Sequence, residues 1–112
     1  MKGAAHLEHL DGLALELRRG AVVLAVLSQL REEQYGYSLK KLIAASGMEI
    51  DEGTLYPLLR RLESQGLLTS RWRVEEGRPR RYYKISAQGE KTLEALAAEW
   101  RAMAESIGRL LQ

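Results

Sequence analysis

The 112 residues include no cysteine, which excludes disulfides, zinc–thiolate sites and thiol chemistry. No apolar run approaches the roughly 20 residues that a membrane span needs, and the N-terminus lacks the continuous apolar core of a signal peptide. The expected location is therefore cytoplasmic, with no membrane partner. There is no phosphate-binding glycine loop, and both histidines, His6 and His9, stand close to the N-terminus. No imidazole is left elsewhere to act as a general base. The acidic pairs Asp51-Glu52 and Glu75-Glu76 are adjacent residues in turns, so their side chains diverge and do not suit general acid–base work. No catalytic residue is assigned, and an enzyme is not expected. His6 and His9 are one turn apart with only Glu8 and Asp11 nearby, too small a ligand set for a metal. No metal and no other cofactor is expected. Low-complexity tracts and internal repeats are also missing.

What is present is the composition of one globular domain: 46% hydrophobic and 29% charged residues. The net charge is only +2, but it is unevenly spread. Between Arg71 and Lys84, six basic residues stand against Glu75 and Glu76, a net of +4, which leaves −2 for the remainder. A local field of that kind matters more to a polyanion than the average does.

Hydrophobic spacing orders the chain. Leu7, Leu10, Ala14 and Leu17 recur at helical intervals, predicting a short amphipathic helix over 6–18 with Gly20 as a joint. Residues 21–30 are apolar on nearly every side and predict a buried helix. Tyr35-Gly36-Tyr37 is expected to turn, after which Ser38 can cap a helix that buries Leu39, Leu42 and Ile43. The next helix can start from Asp51, which places Pro57 in its second turn, or from Thr54, which places Pro57 in the first. Either start buries Leu55, Leu58, Leu59 and Leu62. Gly53, Tyr56, Arg60 and Ser64 then point outward, flanked by Pro57 and Arg61.

After Gly66 the period becomes two, as in strands. Leu68–Glu75 and Arg80–Ser86 predict a hairpin around a Glu76-Gly77-Arg78-Pro79 turn, with a basic tip. Within it Arg81 is expected to pair with Glu75 or Glu76, and Trp72 to anchor the strand to the body. Of Tyr82 and Tyr83, which face opposite sides, one should join the core and the other support the hairpin. Ser86 can cap a last helix whose Leu93, Leu96, Trp100, Met103, Ile107 and Leu110 follow a heptad seam. A seam under three heptads long must pack on its own fold, a second subunit, or both.

The fold class is mainly α with a β-hairpin wing: a winged helix-turn-helix plus terminal dimerisation helices. It divides into an N-terminal arm (1–16), a DNA-binding unit (17–86) and a C-terminal dimerisation helix (87–112). An α-helix fills the major groove, and an arginine-bearing loop reaches a neighbouring phosphate line or the minor groove. Tyr56 and Arg60 could reach base edges or phosphates, Gly53 would let backbone approach closely, and Lys40 and Lys41 could contact the sugar-phosphate backbone. Tyr37, Ser38, Thr54, Arg61 and, on the wing, Arg78 and Arg80 complete the candidate DNA-binding set.

Tyr35-Gly36-Tyr37 with Leu39, the run EGTLYPLLRRLESQGLL from Glu52, Trp72, and GRPRRYYKIS from Gly77 with Gly89 after it resemble the PadR family of transcriptional regulators. The resemblance extends from about Leu17 to Trp100. Ser86 replaces the family's usual threonine but can cap equally well. What the resemblance implies is a homodimer that binds an inverted-repeat operator in double-stranded DNA, usually as a repressor released by a small molecule. The short C-terminal helix is similar to that of the family's small subclass, in which one long helix makes the dimer. Leu7, Leu10 and Leu17, with Leu93, Leu96, Trp100, Met103, Ile107 and Leu110, are the candidate dimer contacts. Two Trp100 rings facing across the dimer axis could sandwich a flat aromatic effector, with Leu96 and Met103 lining the same pocket. The alternatives are a winged helix serving as a protein-interaction module, and a DNA-binding regulator with no small-molecule effector.

Overall fold

The computed structural model describes residues 2–112, with side chains from His9 onward. His6 and Leu7 of the expected arm therefore have side chains outside the described residues. The elements run α1 (Lys2–Ser28), β1 (Gln34–Tyr35), α2 (Gly36–Ala45), α3 (Glu52–Ser64), β2 (Leu68–Glu75), β3 (Arg78–Ile85) and α4 (Ala87–Leu110). The strands form one antiparallel sheet in the order β1-β3-β2. Helices dominate and the hairpin forms the wing.

The first two expected helices are one. α1 continues through Gly12 and Gly20, and neither adopts a positive φ. Each glycine costs about 1 kcal/mol relative to alanine in a helix, a penalty offset by the burial of Val22, Val26, Leu27 and Leu30 further along. The helix also crosses the expected boundary at residue 16 without a break. α2 supplies Leu39 and Ile43 to the core, α3 supplies Leu55, Leu58, Leu59 and Leu62, and the sheet adds Leu68, Tyr83 and Ile85. Leu42, expected in this core, is exposed. Truncating a fully buried leucine such as Leu59 costs about 2–5 kcal/mol in proteins of this kind.

α3 starts from Asp51, whose carbonyl accepts from the Thr54 and Leu55 amides at 3.1 and 3.0 Å. Pro57 then stands inside the helix and deprives the Gly53 carbonyl of its donor. Gly53 is exposed, so water can take that donor's place. The hairpin turn is tighter than the spacing implied. Arg78 and Pro79 already belong to β3, and only Glu76 (φ 52°) and Gly77 (φ 76°) turn the chain. Two left-handed residues match the right-handed twist of the flanking strands.

Ser86 begins α4 as the spacing predicts. Its Oγ accepts from the Gly89 amide at 3.0 Å and donates to the Gly66 carbonyl at 2.7 Å. Gly89 is buried against the Leu67 carbonyl and Ile85, leaving no room for a β-carbon. Further along α4, Leu93 lies in the subunit's own core and Leu96 packs on it, whereas Trp100, Met103, Ile107 and Leu110 are exposed. Leu10, Leu13 and Leu17 on α1 are exposed as well.

Candidate nucleic-acid interface

The outer ridge of α3 carries Gly53, Pro57, Arg60 and Ser64, all exposed. Tyr56 occupies one flank and leans on Gly36, where a β-carbon would lie 2.8 Å from its ring carbon Cζ and hydroxyl oxygen. Partial burial there pushes the phenol above its ordinary titration range, and Glu52 adds to the effect. Thr54 and Arg61 occupy the other flank, where with Arg18 and Arg19 they line a groove of about 390 Å³ against α1. The Thr54 hydroxyl donates to Asp51 Oδ1 at 2.7 Å, and this bond holds the Asp51 carboxyl below its usual value.

Tyr35-Gly36-Tyr37 is not a free turn. Pairing of Tyr35 with Tyr82 keeps it extended (φ −96°, ψ 169°), and α2 begins at once with Gly36. Ser38 is therefore the third helical residue rather than the cap, and its Oγ accepts from the Tyr35 amide at 3.2 Å. That hydroxyl also lies 2.8 Å from Gln34 Oε1 and 3.0 Å from the Tyr35 carbonyl, the two acceptors it can donate to.

Three tyrosine rings then form a row, Tyr37 to Tyr35 at 6.4 Å and Tyr35 to Tyr82 at 5.4 Å between centroids. Each supports a cation: Lys41 over Tyr37, Arg80 over Tyr35 and Arg73 over Tyr82, at 5.4, 4.6 and 4.3 Å. Exposed cation–π contacts contribute about 0.5–1 kcal/mol each. Their larger consequence is geometric, since they hold charges from α2, β2 and β3 over one aromatic row. Tyr82 and Tyr83 divide as expected, Tyr83 joining the core and Tyr82 holding the wing through its hydroxyl, which donates to Glu75 at 2.6 Å. That bond raises the Tyr82 phenol above its ordinary range.

The wing's cations fall into two groups. Arg71 makes a two-pronged contact with Glu33, Nε to Oε2 at 2.6 Å and Nη2 to Oε1 at 2.9 Å, and Arg73 Nη1 reaches the same carboxylate at 3.2 Å. The Arg71 hydrogen bond pulls the Glu33 carboxyl below its ordinary value. Arg78 and Lys84 have no ion-pair partner among the described residues, nor do Lys40, Lys41, Arg60 and Arg61.

Arg81 departs from expectation. It pairs with Glu63 of α3 at 3.6 Å, not with Glu75 or Glu76. Glu75 stands opposite Arg78 in the register and Arg81 opposite Trp72, so Arg81 and Glu75 project from opposite faces. Trp72 is no anchor either. It is 62% exposed, with Arg81 over its ring at 5.3 Å.

Trp100 borders a groove of about 590 Å³ between α1 and α4, together with Leu24, Ser28, Leu93 and Ala97. Among the described residues no three histidine, aspartate or glutamate side chains converge as metal ligands, and no helix is long and apolar enough to cross a membrane.

Residues 23–95 match the Transcriptional regulator PadR-like family. The chain belongs to the PadR-like family. Similar chains extend the match beyond these residues. The PadR family transcriptional regulator from Eggerthella lenta superposes with a TM-score of 0.89 at 46% identity, over 97% of each chain. A transcriptional regulator from Clostridium thermocellum superposes at 0.81 with 32% identity, over 87% of this chain and 99% of the other. Transcriptional regulator Rv3488 of Mycobacterium tuberculosis is 40% identical over 97 residues, 86% of this chain and 88% of the relative. PadR-like proteins are transcriptional regulators that bind DNA, and the winged helix described above is the structure they share.

Periodicity and turn chemistry reveal the outer ridge of α3 and the hairpin. They miss Glu33, because its partners lie 38 and 40 residues away and no local pattern links them. They also miss why glycine follows Tyr35. The signal was present in the YGY triplet, but its meaning depends on Tyr56.

Proposed function

We propose that the chain acts as a homodimeric repressor that binds an inverted-repeat operator in double-stranded DNA. Residues 17–86 contact DNA, while the N-terminal arm (1–16) and the C-terminal helix (87–112) make the dimer, in the cytoplasm. The observation that carries this reading is the row of apolar side chains exposed at both ends of the chain: Leu10, Leu13 and Leu17 on α1, Trp100, Met103, Ile107 and Leu110 on α4. Large apolar side chains exposed along one face of each terminal helix point to an interface. Closing it with a second copy would fix two α3 helices about one DNA turn apart, matching a two-fold operator.

On the DNA side, Tyr56 and Arg60 read the major groove with Gly53 and Thr54 close to the backbone. Tyr37, Ser38, Lys40, Lys41 and Arg61 hold the phosphates beside it, and Arg78 and Arg80 hold the next phosphate line. A flat aromatic ligand between paired Trp100 rings, bordered by Leu96 and Met103, would act by favouring one spacing of the two subunits over another, because equal affinity for both shifts nothing. The half-exposed ring of Trp100 supports this reading.

Duplex titrations over a range of salt test the DNA assignment. Affinity should fall steeply with added salt, and replacing Arg78 and Arg80 by alanine should flatten that dependence. An unchanged slope sinks the wing assignment. Planar aromatic compounds should quench tryptophan fluorescence in the wild type and lose that effect in Trp100→Ala. Equal quenching in both places any ligand at Trp72 instead.

A further inference from the structure

On the outer sheet face, Arg71 and Arg73 share the Glu33 carboxylate, which comes from outside the hairpin, and Arg73 also reaches Glu75 of its own strand at 3.2 Å. Glu33 lies in the connection between α1 and β1, next to Gln34, which the sheet holds by pairing with Tyr83. Its side chain is only 23% exposed, whereas Arg71 is 65% exposed. A guanidinium gripping two oxygens through parallel N–H bonds is the arrangement arginine makes with a phosphate as readily as with a carboxylate.

We propose that Glu33 stands in for a DNA phosphate on Arg71 and Arg73, withholding two wing cations from the duplex and thereby limiting sequence-independent binding. The inference rests on the DNA-binding reading above and adds to it a residue that the reading does not use.

Three observations favour it over a purely structural pair. Exposed ion pairs contribute little to stability, and the wing is already joined to the body by the sheet, by the Arg81–Glu63 contact and by the Ser70–Glu63 hydrogen bond. The pairing is also selective: Arg78 and Lys84 on the same hairpin have no carboxylate partner among the described residues. Finally, Arg71 and Arg73 lie on the same sheet face as Arg80 and Tyr82, as the register requires. Without Glu33, Arg71 would add an unmatched charge beside the cationic row of Lys41, Arg80 and Arg73, and Arg73 would keep Glu75 alone as its counter-charge. Each cation that reaches a phosphate displaces condensed counterions whatever the base sequence.

The experiment compares the full-length wild type with Glu33→Gln, which keeps the shape and an acceptor oxygen but removes the charge. Both are titrated with a scrambled-sequence duplex over a range of potassium chloride, and melting curves check that both fold. The variant's log-affinity against log-salt slope should steepen by about 1–2, and its affinity near 0.1 M salt should rise roughly tenfold. Adding Arg71→Gln and Arg73→Gln to the variant should return the slope to the wild-type value or below. An unchanged slope, weaker binding, or a gain that survives loss of both arginines overturns the proposal. Should the wild type show no salt-dependent duplex binding at all, the DNA reading itself fails and this inference falls with it. Salt-dependent wild-type binding with an unchanged variant refutes this inference alone.

Discussion

The ring of Tyr56 on α3 fills the space that a β-carbon on Gly36 of α2 would need, so the helix-turn-helix closes through a tyrosine laid on a glycine. Gly89 presents the same absence of a β-carbon to a different neighbour, the Leu67 carbonyl. The two glycines should therefore respond differently to alanine. At Gly36 the obstacle is the end of a partly exposed side chain, which can swing outward. Gly36→Ala should cost under about 1 kcal/mol in urea unfolding while weakening operator binding through the displaced Tyr56. At Gly89 the obstacle is backbone, and Gly89→Ala should cost about 2–3 kcal/mol. Comparable losses of stability at both positions would contradict this account.

The wing tip stores a small local strain. Glu76 adopts φ 52° in a two-residue turn with Gly77, a conformation that Asn tolerates better than Glu. Glu76→Asn should stabilise the protein by about 0.5–1 kcal/mol, read as a higher urea midpoint with an unchanged slope.

Acid should loosen the tie between the α1–β1 connection and the wing. Arg71, chiefly through its hydrogen bonds, lowers the Glu33 carboxyl from its ordinary value of 4.5. A carboxylate depressed in the folded state stabilises fully above that ordinary value and loses its effect as pH falls through the lowered one. Any advantage in melting temperature of wild type over Glu33→Gln at neutral pH should shrink below about pH 4.5 and vanish in stronger acid. A difference independent of pH would mean that the glutamine amide, not the lost charge, causes it.

Most of the architecture was legible because helical and alternating periods record which face each element buries. Leu55, Leu58, Leu59 and Leu62 mark the inner face of α3 whichever start is chosen, and Ser86 marks the head of α4. Local signals failed where distant packing overrode them. Gly12 and Gly20 were poor evidence for a break, because the buried half of α1 more than offsets their cost. The partners of Arg81 and Trp72 followed from strand register, which the basic run does not reveal. In the candidate interface the cations themselves could be named from sequence. Which of them are already matched by a carboxylate could not, because Glu33 reaches the wing from an element far away in the chain.

The exposed apolar seam of α4 leads to the last prediction. In a lone chain Met103 and Ile107 stand one turn apart, both more than half exposed, with no core beneath them. Replacing such a residue costs a monomer almost nothing, since surface substitutions away from special features usually fall within about 0.5 kcal/mol. In a two-chain seam the same change buries an unpaired charge, which is strongly unfavourable. Ile107→Glu should therefore keep its helical circular dichroism at high protein concentration while its sedimentation shifts from dimer to monomer. Operator affinity should fall with it, because two half-sites are no longer bound together. Sedimentation of Ile107→Glu identical to the wild type would place the dimer contact elsewhere. The exposed leucines of α1, tested through Leu17→Glu, would then be the surface to examine.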